Sequence, residues 1–234
     1  GPAGVFVDYP SATATDNVTQ TPIITYSQDS GTVFPLGPTT VTVTATDEAG
    51  NFGTATFVVT VQDTTAPVVT PPADMTVEAT GAAGAQVVLP VPTVVEAVTA
   101  EPAITFSPES GTTLPLGETV VTVSAPDDAG NVGSTTFKVL VLDTTAPIVT
   151  APADVIAEAS GPQGAAVTYS PATATDAVTA EPVITYSQVS GTTFAIGQTI
   201  VTVTATDAAG NAGTASFKVT VSDTTPPVVT APAD

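Results

Sequence analysis

Acidic side chains are the residues of this chain best suited to chemistry, and most of them fall in turns. The sequence has 22 Asp and Glu residues, two Lys and Arg residues, and neither His nor Cys. Most nucleophilic dyads and triads, and most transition-metal sites, need His or Cys. Hard cations such as calcium instead take about six to eight oxygen ligands, with carboxylates among them. The residue types therefore favour calcium binding, and we do not expect an enzyme.

The acidic residues recur where repeated segments follow one another. Asp63 and Asp143 each precede a short Thr-Thr-Ala-Pro linker that proline stiffens. In tandem β-sandwiches, the end of one domain's last strand meets the loops of the next domain. This geometry predicts one cluster around Asp63 and a second around Asp143, each at a junction. The candidate interdomain calcium ligands are Asp63, Glu96, Asp127, Asp128, Asp143, Asp176 and Asp207.

Turn capping is the alternative role for the same side chains. Asp commonly accepts hydrogen bonds from the backbone of its own turn. Asp47, Asp127 and Asp207 each begin an Asp-x-Ala-Gly-Asn turn and could do no more than that. The second repeat also has Glu96 where the other repeats have Asp. The sequence leaves calcium binding and turn capping open.

The elements that position these residues belong to one unit repeated every 80 residues. Segments beginning at Val41, Val121 and Val201 align without insertion or deletion. This period is too long for a solenoid turn and suits a self-contained sandwich domain. We therefore predict domains at 1–63, 64–143 and 144–223, with 224–234 as the first-strand segment of a following repeat. The first of these domains lacks its own first strand.

The repeat contains alternating strands and no helical periodicity. Val41–Thr46 and Phe57–Val61 place every second residue on an apolar face. The turn between them is predicted to close with Gly50 in the left-handed region. Shorter strands of the third repeat are predicted at Val155–Ala159, Ala165–Tyr169 and Val183–Ser187. About seven short strands per repeat predict an all-β chain of tandem immunoglobulin-like antiparallel β-sandwiches.

Two sequence runs carry a family resemblance. Phe34 to Asn51 reads F-P-L-G-x-T-x-V-T-V-T-A-T-D-x-A-G-N, and Phe57 to Pro67 reads F-x-V-T-V-x-D-T-T-A-P. These runs, with Thr-Asp-Asn at Thr15 to Asn17, resemble the HYR domain, or hyalin repeat. The resemblance implies an immunoglobulin-like fold of extracellular adhesive, matrix and microbial surface proteins. Because the chain lacks the cysteine pair of many members, their disulfide cannot be carried over.

The net charge of −20 limits the partners. A nucleic-acid binder needs a basic surface, and so does a protein that binds anionic membranes. No apolar run is long enough to insert into a membrane. We predict an extracellular or cell-surface fibre, stalk or adhesin that self-associates as a homopolymer or long array, rigidified by calcium, with surface or matrix ligands. The alternatives are a passive spacer, or a carbohydrate- or protein-binding module of a larger secreted protein.

The repeat register leaves two explanations for the ends of the sequence. Residues 1–4 align with 161–164, which lie inside a repeat, and 224–234 carry most of a first strand. One explanation is that the sequence is a window on a longer array. The other is that copies assemble head to tail, the last segment of one copy filling the missing strand position of the next. Both stay open at this level.

Overall fold

The computed structural model describes residues 1–231, which form strands and turns without a helix. The strands up to residue 61 are β1 (Val5–Val7), β2 (Ile23–Tyr26), β3 (Thr32–Phe34), β4 (Gly37–Thr46) and β5 (Phe52–Val61). Those up to residue 142 are β6 (Val68–Thr70), β7 (Met75–Glu78), β8 (Ala85–Gln86), β9 (Thr93–Val95), β10 (Thr105–Ser107), β11 (Thr113–Leu114), β12 (Gly117–Pro126) and β13 (Val132–Leu142). The remaining strands are β14 (Ile148–Thr150), β15 (Val155–Glu158), β16 (Ala165–Ala166), β17 (Thr173–Thr175), β18 (Val183–Tyr186), β19 (Thr193–Phe194), β20 (Gly197–Thr206) and β21 (Ala212–Ser222).

Residue contacts divide the chain into two compact units. The first comprises residues 1–73, 89–110 and 120–137, and the second comprises 74–88, 111–119 and the residues from 138 onward. Each unit therefore contains one junction between successive repeats. The units do not follow the 80-residue period, so the domain boundaries at 63, 143 and 223 stay a prediction.

In the second unit, the third repeat forms a two-layered sandwich. One layer is a sheet in the order β15-β21-β20-β18, in which β15 runs parallel to β21 and the other pairs are antiparallel. The other layer contains the antiparallel pairs β14–β17 and β16–β19. The all-β, immunoglobulin-like sandwich predicted from the sequence is thus confirmed. The parallel pairing of the edge strand β15 with β21 could not be predicted from the alternation of apolar and polar residues.

The core of this sandwich follows the predicted period of two. Val201 and Val203 of β20 and Val219 of β21 are fully buried, whereas Lys218, which precedes Val219 in β21, is exposed to solvent. Phe194 closes the core from the opposite layer and is also fully buried. Alternate side chains of a strand point to opposite faces, which explains why this position tolerates Lys or Val. The inward phase of these strands is confirmed.

In the first unit, the first repeat has the same scaffold with a less covered core. β4 pairs antiparallel with β2 and β5, and β1 pairs with β3. Val43 and Phe57 are only half-buried, although their counterparts Val203 and Phe217 are at most 3% exposed. No strand among residues 1–231 takes the place in this repeat that β14 and β15 take in the third. The inner faces of β4 and β5 are therefore partly open.

The middle repeat contributes strand pairs to both units. In the first unit, β6 pairs with β9 and β10 pairs with β12, both antiparallel. In the second unit, β7 runs parallel to β13 and β8 pairs antiparallel with β11. These pairs have the same partners and directions as their counterparts in the third repeat.

The turns also follow the sequence closely. Gly50 has a φ of +88° and its N–H donates to the carbonyl of Asp47 at 3.2 Å, as predicted for a turn that ends in the left-handed region. The strand predicted at Ala165–Tyr169 is shorter, because β16 ends at Ala166. Beyond β16, the Tyr169 N–H donates to the Ser190 Oγ, so a side chain takes the place of a backbone acceptor on a neighbouring strand.

Candidate metal centre

Three carboxylates meet at the junction before the third repeat. Asp143 directly follows β13, Asp176 follows β17, and Asp207 follows β20. One carboxylate oxygen of each residue lies within 4.8 Å of one oxygen of each of the others. Among residues 1–231, no other group of three or more acidic side chains meets this spacing. The ends of three strands thus bring together three of the seven ligands predicted from the sequence.

Asp207 is fixed by its own turn and is almost fully buried, with 7% of its surface exposed. Its Oδ1 accepts the Asn211 N–H at 2.8 Å, and its Oδ2 accepts the Asn211 Nδ2 at 2.8 Å. The same Nδ2 donates to the carbonyl of Asp143 at 3.1 Å. Asn211 therefore attaches the linker residue to the turn that carries Asp207.

Asp176 holds a tight loop and keeps one oxygen outside that loop. Its Oδ1 accepts the Val178 N–H at 2.8 Å and the Thr179 N–H at 2.6 Å. Both bonds use one carboxylate oxygen, as in a turn stabilised by its own aspartate. The capping role and an approach to a cation are compatible in this residue, because a carboxylate has two oxygens.

Asp143 is the member of the cluster that has a buried oxygen without a hydrogen-bond partner among the described residues. Its Oδ1 accepts the Thr145 N–H at 3.3 Å, whereas its Oδ2 is buried and has no hydrogen-bond partner in the described structure. Burial, and then the negative charges of Asp176, Asp207 and Glu78, raise the pKa of Asp143 above its usual value. A buried, unpartnered carboxylate oxygen costs free energy unless a proton or a cation compensates it.

The other junction, in the first unit, has the same turn and linker but a different cluster. The Asp63 Oδ2 is again buried without a partner, and the Asn131 Nδ2 joins the Asp63 carbonyl to the Asp127 Oδ2. Glu96 turns its Oε1 back onto the N–H groups of Ala97 and Val98. Asp128 is exposed on the turn. These residues do not gather within the 4.8 Å spacing, and the longer Glu side chain is the clearest chemical difference between the junctions.

The first repeat carries the same acidic loops. The Asp16 Oδ1 accepts the Val18 and Thr19 N–H groups, and the Asp47 Oδ2 accepts the Asn51 Nδ2 at 2.8 Å. Asp16 is exposed and Asp47 is half-buried, so each is more accessible than its own counterpart, Asp176 or Asp207. The loop chemistry is therefore local to each repeat.

Hydrogen bonding decides the ionisation of the turn aspartates. Burial opposes the charged form of Asp127 and Asp207, but hydrogen bonds from Asn131 or Asn211, together with those from the turn backbone, outweigh it and hold both pKa values below the usual value. The side chain of Asn51 likewise lowers the pKa of Asp47. These residues stay charged in the native state near neutral pH, which a cation site requires.

Sequence reasoning overlooked two sets of supporting residues. Asn131 and Asn211 position the linker aspartates. They could have been identified from the sequence, because an Asn ends every Asp-x-Ala-Gly-Asn turn. Glu78 fixes the linker from β7, accepting the Thr144 N–H at 2.9 Å and the hydroxyls of Thr144 and Thr145. Glu158 does the same for Thr224 and Thr225. The Thr-Thr pair repeats visibly in the sequence, but nothing in the sequence indicates that a glutamate about 66 residues earlier binds it.

We expect a two-phase pH dependence of stability without calcium. The raised pKa of Asp143 means that the folded state binds this proton more readily than the unfolded chain, so Tm should rise as pH falls through that raised pKa. The lowered pKa values of Asp16, Asp47, Asp127 and Asp207 act oppositely, and their stabilisation should be lost below about pH 4. Thermal melts against pH would measure both phases, and an Asp143→Asn variant that kept the first phase would contradict its assignment.

The HYR domain family model matches the chain three times, at residues 1–61, 62–141 and 142–221. The chain belongs to the HYR domain family. Membership confirms the resemblance seen in the sequence and makes the chain a repeat region of an extracellular or cell-surface protein. No helix in residues 1–231 has the length and apolar character to cross a membrane.

Two curated relatives match this HYR chain over nearly its full length, and a third matches about half of it. It is 37% identical to hyalin of Lytechinus variegatus over 99% of the chain, and 36% identical to hyalin of Strongylocentrotus purpuratus over 100%. The chain spans 46% and 20% of those two proteins, respectively. A serine-rich adhesin for platelets of Staphylococcus aureus (strain MRSA252) is 36% identical over 46% of the chain and 9% of the adhesin.

The solved structures to which the chain is similar include extracellular cadherin domains. Protocadherin Gamma B2 extracellular cadherin domains 3–6 are 16% identical, with a TM-score of 0.34, covering 80% of this chain and 60% of that one. The protocadherin GammaB4 extracellular domain is 18% identical, with a TM-score of 0.33, over 94% of this chain and 46% of that one.

Proposed function

We propose that this HYR chain is a structural, adhesive repeat region of an extracellular fibre, stalk or surface adhesin, and that calcium rigidifies its repeat junctions. The observation that carries the calcium part is the cluster of Asp143, Asp176 and Asp207, in which the buried Asp143 Oδ2 has no partner. The adhesive part is supported by family membership and by the relatives named hyalin and adhesin.

The donor set suits calcium. Carboxylate oxygens from three separate strand ends converge, and calcium accepts carboxylates, carbonyls and waters in a flexible shell. Asp207 arrives fixed by its turn and Asp176 by its loop, so little ordering remains when an ion binds. A bound ion would compensate the repulsion among the three carboxylates and the unpartnered Asp143 Oδ2. It would also join the linker to both loops of the following repeat.

The first junction should bind calcium more weakly. Asp63 keeps an unpartnered buried oxygen there, but Glu96 caps its own loop and the three-carboxylate spacing is absent. Calcium affinity follows the number of charged ligands and their rigidity. We therefore assign the tighter site to Asp143, Asp176 and Asp207, and treat Asp63, Glu96, Asp127 and Asp128 as a second, weaker set.

A passive spacer is the second candidate, and one observation favours it. Asp47, Asp127 and Asp207 each have both carboxylate oxygens satisfied by an Asn of the same turn. Turn capping alone explains those bonds, with no ion. It leaves the Asp63 and Asp143 Oδ2 atoms without a function, which is why we place calcium first.

Calorimetric titration with calcium, followed by electron microscopy with and without a chelator, tests the proposal. We expect a Kd of about 0.1–1 mM, as in extracellular calcium modules, and loss of ordered assemblies on chelation. Glu181→Gln is a matched control, since it removes one exposed charge from the same repeat. No calcium heat, or identical particles in both conditions, would favour the passive spacer.

A further inference from the structure

The middle repeat contains a parallel pair of strands, β7 and β13. Met75 lies opposite Val139 and Glu78 lies opposite Leu142, so that four residues of each strand are paired. The Ala79 N–H donates to the Leu142 carbonyl at 2.7 Å and adds one bond beyond the pair. All of these residues belong to the second unit. The pair joins the part of the chain that enters the repeat to the part that leaves it.

Two acidic side chains extend this ladder at its ends. At the start of β7, the Asp74 Oδ1 accepts the Lys138 N–H at 2.7 Å. At the end of β7, the Glu78 carboxylate accepts the Thr144 N–H at 2.9 Å, the Thr144 hydroxyl at 2.7 Å and the Thr145 hydroxyl at 2.8 Å. Hydrogen bonds to a charged acceptor are stronger than neutral ones. The two carboxylates therefore lengthen the connection between β7 and the chain that follows β13.

The third repeat has the same ladder. Its β15 runs parallel to β21, and the Asp154 Oδ1 accepts the Lys218 N–H at 2.8 Å. Both first strands of these parallel pairs lie within the pattern A-D-x-x-x-E-A, at residues 73–79 and 153–159. The Asp and the Glu of the pattern thus stand just before the strand and at its last residue. The arrangement is a property of the repeat and is not limited to one position of the chain.

The direction of the two strands decides how tension along the chain acts on them. Tension pulls β7 toward its start, through Asp74, and pulls β13 toward its end, through Asp143. In a parallel pair these two ends lie at opposite ends of the ladder. The two forces therefore act along the strands, and they load the bonds of the ladder together. If the pair were antiparallel, the pulled ends would lie side by side and the bonds would open one after another.

We propose that β7 and β13, with the Asp74 and Glu78 side chains, form a mechanical clamp that lets the middle repeat resist tension along the chain. This further function rests on the proposed structural role in a fibre, stalk or adhesin. Resistance to force is set by the rate of unfolding rather than by equilibrium stability. Glu78 contributes the most side-chain bonds, so it is the residue on which the lifetime under force should depend most.

Optical-tweezers pulling of the whole 234-residue chain tests the clamp, because the chain has no native Cys and handles can be placed at chosen residues. Ala73→Cys and Ala146→Cys, both at exposed positions, attach the handles just before β7 and just after the linker threonines. Unfolding between these handles should lengthen the tether by roughly 200–250 Å, which identifies the middle repeat. Replacing the first handle by one at exposed Ala82, beyond the end of β7, places both handles at the same end of the ladder.

At one constant force, handles at 73 and 146 should give lifetimes about tenfold or more longer than handles at 82 and 146, because the first pair loads the ladder bonds together. Equal lifetimes in the two geometries would overturn the clamp. This comparison uses the wild-type ladder, so it does not depend on how well a clamp variant folds.

Glu78→Gln tests the side-chain part of the clamp. With handles at 73 and 146 it should shorten the lifetime about tenfold, since it weakens three hydrogen bonds to the linker. With handles at 82 and 146 its effect should be much smaller, because those bonds open first. Glu101→Gln removes one exposed charge from the same repeat and should change neither lifetime. An equal effect of Glu78→Gln in both geometries would show that Glu78 supports general stability and not the clamp.

The outcomes separate the clamp from the proposed calcium function. We expect the dependence on handle position to persist in chelator, because the clamp bonds do not use the carboxylates of Asp143, Asp176 or Asp207. A dependence that disappears in chelator would mean that bound calcium resists the tension, and would reject the clamp. A dependence that persists, in a chain that shows no calcium heat, would support the clamp and reject the calcium part of the proposed function.

Discussion

Calcium should raise the Tm of the wild-type chain, whereas the Asp143→Asn variant should show little response to calcium but melt higher than the wild type without it. The effect of Asp143→Asn on Tm changes sign between the two conditions because the Asp143 carboxylate has a different role in each. Without an ion its Oδ2 is buried near Asp176 and Asp207, and its pKa is raised by burial and by their charges, so neutralising it removes a cost. With an ion it is a ligand, so neutralising it removes part of the site.

The expected size follows from ligand linkage. Calcium at about a hundred times its Kd should raise the Tm of a domain of this size by roughly 10 °C, and Asp143→Asn should remove most of that rise. The calcium-free gain from the substitution should be a few degrees (~2–5 °C). Calorimetric scans of the wild type and of Asp143→Asn, each in chelator and in excess calcium, measure the four Tm values. A variant that loses stability in chelator would show that Asp143 is a structural cap instead.

Asp63→Asn is the internal comparison, since it makes the same change at the first junction. Its buried Oδ2 is also unpartnered, but no three-carboxylate cluster surrounds it in the described residues. We expect a smaller response to calcium than at Asp143. Equal responses at both junctions would mean that the linker aspartate and the Asp-Asn turn are enough, with Glu96 replacing Asp176 at no cost.

The sequence predicted the strands well because their physical basis is local. Val201, Val203, Val219 and Val221 alternate with outward Thr and Lys, and a period of two is a direct property of an extended chain. Gly50 was predictable for the same reason, since its left-handed φ is a property of one residue. The parallel pairing of β15 with β21 was not, because strand partners far apart in sequence leave no local pattern.

The candidate site was predictable only in part. A repeat register and the meeting of strand ends were enough to group Asp143 with Asp176 and Asp207. They could not show that Glu96 turns onto its own loop, because that depends on side-chain length and rotamer. Nor could they reveal Glu78, whose partners Thr144 and Thr145 lie in the next repeat. Long-range side-chain bonds require the fold before they can be assigned.

Gly213→Ala should be among the most destabilising single substitutions in the third repeat, and Gly53→Ala at the same repeat position should be nearly neutral. The added Cβ at 213 would lie 1.9 Å from the Pro147 carbonyl oxygen, and backbone cannot move aside without displacing β14. Overpacking of this kind costs about 3 kcal/mol, so Tm of the repeat should fall by more than about 10 °C. At 53 the Cβ meets no described atom, and alanine restricts the unfolded chain more than glycine.

Both variants should be compared at one protein concentration, so that any self-association contributes equally. Chemical denaturation of the two variants in parallel then gives the difference directly, and Gly133→Ala adds a second buried case with the same 1.9 Å approach, to Pro67. Near-neutral effects at 133 and 213 would mean that β6 and β14 shift easily to accommodate the added Cβ. A loss of stability at 53 would show instead that other residues of the chain pack against Gly53.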